Sequence, residues 1–72
     1  MSEYVFINMD TGEIYKVKDI WYLYAHVKAF KYFGGTPEQS VHIEVLYSIE
    51  PDGSRGLDYE KRVLAELAER VQ

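Results

Sequence analysis

Val41-His42-Ile43-Glu44-Val45-Leu46-Tyr47-Ser48-Ile49-Glu50 is the stretch on which the fold turns. Its residues alternate: Val41, Ile43, Val45, Tyr47 and Ile49 fall on one side of an extended chain. His42, Glu44, Leu46, Ser48 and Glu50 fall on the other. Side chains of a strand project to its two faces in turn, so this pattern predicts a half-buried strand with one solvated face.

Working outward, Tyr4-Val5-Phe6-Ile7-Asn8-Met9 is rich in β-branched and aromatic residues and reads as another strand. Asp10-Thr11-Gly12 supplies a turn, and Glu13-Ile14-Tyr15-Lys16-Val17-Lys18 a return strand. The loop length suits a hairpin closed by a type I turn with a glycine bulge. Asp19 is placed to cap a helix over 20–33, which Gly34-Gly35 ends. Thr36-Pro37-Glu38-Gln39 has the form of a capping box, yet the alternation that follows limits it to one helical turn. Downstream, Pro51-Asp52-Gly53 is a turn, and Asp58 is placed to cap a last helix. That helix carries Val63, Leu64, Leu67, Ala68 and Val71 on one stripe and an ordinary charged face opposite.

The order β-β-α-β-α predicts a single α+β domain over 1–72. A right-handed crossover gives a three-stranded antiparallel sheet of order 2-1-3, with both helices on one face. The strand at 41–50 then lies at a sheet edge, where its length invites pairing with a copy of itself.

Seventy-two residues bury about 60% of the surface the unfolded chain exposes, so the core is thin. There is no cysteine, which excludes disulfides, thiolate catalysis and cysteine-held metals, and fits a reducing compartment. Met1-Ser2-Glu3 lacks the basic start of a signal peptide, and no apolar run reaches the roughly 18 residues of a membrane helix. A soluble, cytoplasmic protein is expected. The net charge is −4: residues 1–33 are balanced, and the acidic excess lies in 34–72. Such a domain repels a phosphate backbone at long range.

Candidate chemistries each have a plainer explanation. Asp10-Thr11-Gly12 spells the aspartic-protease triplet, whose mechanism needs two such aspartates and hence a dimer, but these are also the residues a hairpin turn requires. His26, His42 and Glu44 include metal-ligand types but not a dedicated spacing. Gly34-Gly35-Thr36 lacks the lysine of a phosphate loop. No catalytic residue, metal site or cofactor is expected.

The first helix carries the most information. Ile20, Leu23, Tyr24, Val27 and Phe30 make one side; Trp21, Ala25, Ala29 and Tyr32 make another, with Tyr22 and Phe33 beside them. Only His26, Lys28 and Lys31 interrupt. A helix apolar nearly all round is covered on two sides. One cover is the sheet; the other is either the C-terminal helix or a partner chain. Eleven aromatic residues in so short a chain, seven of them Tyr, favour a boundary role for several.

The expected function is therefore a non-enzymatic protein–protein interaction module, a small acidic adaptor or inhibitor of the kind carried by phages and mobile elements. It docks on another protein or on itself as a homodimer through Trp21, Tyr22, Ala25, Lys28 and Tyr32. The alternatives are a nucleic-acid accessory protein using Lys16, Lys18, Lys28 and Lys31 with the aromatic rings, and a dimeric enzyme using Asp10.

Overall fold

The computed structural model describes residues 1–70. They form an α+β fold of six elements: β1 (Ser2–Asn8), β2 (Ile14–Asp19), α1 (Tyr22–Tyr32), β3 (Ile43–Ile49), β4 (Arg55–Asp58) and α2 (Glu60–Arg70). The sheet is antiparallel with order β2-β1-β3-β4. No helix of the described residues is long and apolar enough to cross a membrane.

The 2-1-3 core of the sheet is as expected, but a fourth strand follows it. The turn after Ile49 closes a hairpin: Glu50 N–H donates to Ser54 C=O at 2.8 Å, and Gly53 takes a positive φ of 88°. Arg55-Gly56-Leu57-Asp58 has little strand propensity of its own. It is held by β3, with Ser48 Oγ accepting the Leu57 N–H at 2.8 Å. Asp58 thus ends a strand opposite Tyr47 and is not the cap of α2. β3 is consequently an interior strand over its C-terminal half, where Tyr47 and Ile49 pair with β4, so residues 41–50 do not form one continuous free edge as expected.

The two helices lie on opposite faces of the sheet, not on one. Tyr4 and Phe6 of β1 pack with Ala25 and Ala29 of α1, whereas Val5, Ile7 and Met9 pack with Val63 of α2. Alternate residues of one strand point to opposite faces. Val5, Phe6, Ile7 and Met9 are each at most 2% exposed, so β1 is buried on both sides. Each such side chain contributes roughly 1.5–3 kcal/mol on burial.

A bulge in β3 rearranges the expected alternation. Val45 pairs with Phe6 but Tyr47 with Val5, leaving Leu46 as the extra residue. Ile43 and Val45 therefore join the α1 side, while Leu46 and Tyr47 both join the α2 side. Ser48 returns to the α1 side opposite Tyr4, buried at 1% exposure.

α1 starts later than its periodicity suggests. Asp19 ends β2 and its carboxylate accepts the Ile20 N–H at 2.8 Å; the residue before the helix is Trp21, which makes no side-chain cap. The helix stops as expected at Gly34, with φ 88°. Gly34 N–H donates to Lys31 C=O and Gly35 N–H to Phe30 C=O, the paired bonds of a glycine-terminated helix. At its far end, α2 is tied to the β1–β2 turn by Arg70, which contacts Asp10 Oδ1 at 2.6 Å and Met9 C=O at 3.2 Å. Val71, placed on the α2 stripe from sequence, lies outside the described residues.

Candidate docking face

The sheet surface under α1 already carries bulky rings from Tyr4, Phe6 and Tyr15. A helix can approach such a surface closely only through small residues, large against small. Ala25 and Ala29, one turn apart, meet this need and are 0% exposed. Phe30 and Phe33 fill the flanks. Tyr22 and His26 pack against Phe6, with ring centroids 5.9 and 5.8 Å from it.

Seating the helix on its alanines turns its large stripe outward. Ile20 is 62% exposed, Trp21 59%, Leu23 66%, Tyr24 48% and Val27 45%. Leu23, Tyr24 and Val27 share one outer side of α1, and Ile20 and Trp21 extend that apolar surface from the bend just before its first turn. Trp21 leans on Tyr24, centroids 5.1 Å apart. With α2 on the other side of the sheet, no described element covers them. The outer face of α2 contrasts with this one, carrying ion pairs such as Arg62–Glu66 at 2.9 Å. A contiguous apolar patch of this kind on a small domain marks an interaction surface.

The structure distributes the residues singled out from sequence unevenly. Trp21 belongs to the exposed ridge. Tyr22 is partly exposed and lines a shallow groove of 310 Å³ with Val45, Leu57 and Tyr59, on sheet surface that α1 leaves bare. Burial pushes the Tyr22 hydroxyl above its ordinary pKa. Lys28 flanks the ridge, its ammonium 2.6 Å from Asp19 Oδ2. That contact, first among several, holds the Asp19 carboxyl below the usual carboxylate range.

Tyr32 sits apart, stacked on Tyr15 at 4.3 Å, with its hydroxyl donating to Glu13 at 3.1 Å; this bond raises its pKa. Ala25 is withdrawn altogether: it is the seat of the helix and touches no outside surface. Leu23, Tyr24 and Val27, the centre of the exposed ridge, were not in the expected docking set. The Ala25–Ala29 spacing, set against an aromatic sheet face, is the signal that identifies them.

The remaining candidates are scattered. Asp10 sits in the hairpin turn, its side chain 58% exposed and bound by Arg70. His42 lies 3.7 Å from Glu44 of β3, while His26 belongs to α1 and packs on Phe6 at the other face of the sheet. No group of three metal-ligating side chains occurs among the described residues. The lysines also separate: Lys28 and Lys31 stand on α1, whereas Lys16 and Lys18 alternate with Tyr15 and Val17 and so project from the opposite face of the sheet. Comparison with family models, curated proteins and solved structures returns no match.

Proposed function

We propose that this chain is a non-enzymatic docking module, a small acidic adaptor or inhibitor, that binds another protein through the outer ridge of α1. One observation carries the reading: the helix turns its alanines to the sheet and Ile20, Trp21, Leu23, Tyr24 and Val27 to the outside, with no described element over them. Burying such a ridge against a partner releases about 25 cal/mol for each Å² of apolar surface covered. Trp and Tyr are the residue types that dominate interface energies. A cytoplasmic setting fits the absence of cysteine. The nucleic-acid reading ranks behind, because its four lysines are divided between two faces.

The test is affinity capture from a lysate of the source cell with the wild-type chain and with Leu23→Asp, alongside light scattering of each across a dilution series. The wild type is expected to retain a partner that Leu23→Asp loses, with unchanged circular dichroism. Retention of the same partner by both, or no partner for either, would remove the reading.

A further inference from the structure

The α1 face of the sheet is only half covered. Strands stand about 4.8 Å apart, so four of them span on the order of 15–20 Å, while a helix with its side chains is about 10 Å wide. α1 accordingly covers two strands: Ala25 and Ala29 pack on Tyr4 and Phe6 of β1, and Tyr32 stacks on Tyr15 of β2. Over β3 and β4, Val45 and Leu57 are only partly buried and floor the groove of 310 Å³ that Tyr22 and Tyr59 also line. The described residues hold no third helix to fill it, since α2 lies on the other face. One molecule thus carries, side by side on one face, an apolar ridge one helix wide and an apolar trough one helix wide.

Resting on the docking reading above, we propose that in the absence of a foreign partner a second copy of this chain covers the centre of the ridge, Leu23 and Val27, and that the two occupants compete. A two-fold axis running along α1, midway between two facing sheets, carries α1 of each copy over the bare β3–β4 half of the other. The ridge enters the trough twice, and the pair closes. Rotation about that axis keeps every residue at its own level along the helix. Leu23 of the copy therefore arrives at the level of Tyr22, which lines the groove. Each inner sheet face is then covered by two helices in one shared layer.

Charge and area favour the same occupant. Copies at −4 each repel unless they meet through uncharged surface. Tyr22, Leu23, Val27, Val45, Leu57 and Tyr59 are all uncharged, and Arg62, 5.4 Å over the Tyr59 ring, is paired with Glu66. The basic flank of α1 stays outside the contact: Lys28 turns to Asp19 at the end of β2, and Lys31, one turn on, lies on that side. The described residues form a slab of 37 × 28 × 14 Å. Its broad face, on the order of 1,000 Å², accommodates the roughly 800 Å² per partner of a standard interface.

Light scattering across a dilution series tests this with two variants chosen to keep the fold, as circular dichroism checks. Leu23→Lys places a helix-forming residue at an exposed site, and Tyr59→Asp places a favoured cap just before α2. The wild type is expected to pass from one copy to two as its concentration rises, and each variant alone to stay monomeric. An equimolar mixture of the variants should recover the dimer, because one contact is native and the other sets the introduced lysine against the introduced aspartate. In lysate capture, Tyr59→Asp should keep the partner that Leu23→Lys loses, since its ridge is intact and free.

A wild type that stays monomeric up to about 1 mM would overturn the dimer and leave the docking reading to the capture experiment. A dimer lost with Leu23→Lys but kept with Tyr59→Asp would put ridge on ridge, and one kept by both would use another surface. Either result contradicts the proposal, as does a mixture that remains monomeric. A dimer that behaves as expected, with no partner captured by the wild type or by Tyr59→Asp, would uphold the second copy and overturn docking on a foreign protein.

Discussion

The Lys28 ammonium lies 2.6 Å from the Asp19 carboxylate, joining the second turn of α1 to the end of the preceding strand. Asp19 is buried and its carboxyl is held below the usual range, first by Lys28 and then by the Ile20 and Trp21 amides, with desolvation opposing. A carboxyl lowered in the folded state adds stability above its unfolded pKa and loses it as pH falls through the folded one. Urea unfolding from pH 6 to pH 2 should therefore show stability declining below about pH 4. Asp19→Asn should flatten that decline, and Lys28→Met should destabilise the fold at neutral pH by leaving a buried carboxylate unmatched.

The orientation of α1 makes opposite demands on neighbouring residues. Ala25→Leu or Ala29→Leu inserts volume between helix and sheet and should cost about 1–3 kcal/mol in urea unfolding. Leu23→Asp and Val27→Asp alter only the outer ridge and should change stability by less than about 1 kcal/mol. Were the ridge part of the core, these costs would be reversed.

Much of this was legible in the residues. The first hairpin, α1 with its glycine stop, the strand at 43–49 and α2 all follow from periodicity and turn chemistry. The placement of the helices was legible too, but in β1: Tyr4-Val5-Phe6-Ile7 shows no polar alternation, the mark of a strand covered on both faces. Strand β4 was not, because Arg55-Gly56-Leu57-Asp58 owes its shape to Ser48 and the edge of β3. The bulge at Leu46 was equally hidden, since it depends on pairing with β1. The candidate site was half visible: the aromatic helix stood out, while the side it presents depended on which sheet residues lay beneath it.

The Ser48–Leu57 bond gives β4 a direct check. Ser48→Ala strands the Leu57 N–H and should cost about 1–3 kcal/mol. Amide hydrogen exchange should accelerate at Leu57 while Ile7 in β1 stays protected. Unchanged exchange at Leu57 would mean that β4 is held by other contacts.

Two tyrosines should titrate late. Tyr32 is raised chiefly by its bond to Glu13, and Tyr22 by burial followed by the charge of Glu44. A hydroxyl whose pKa rises on folding contributes stability that is present below its unfolded value and lost as pH climbs through the folded one. In an ultraviolet titration, Glu13→Gln should return Tyr32 toward about 10 and leave Tyr22 late.

The claim that the outer ridge of α1 is a docking surface is met most directly by acrylamide quenching of Trp21. In the free, dilute protein the indole should be readily quenched, as befits a side chain 59% exposed. In complex with the captured partner, quenching should fall severalfold. Unchanged quenching in a complex shown by light scattering to be intact would place the partner elsewhere and contradict the account.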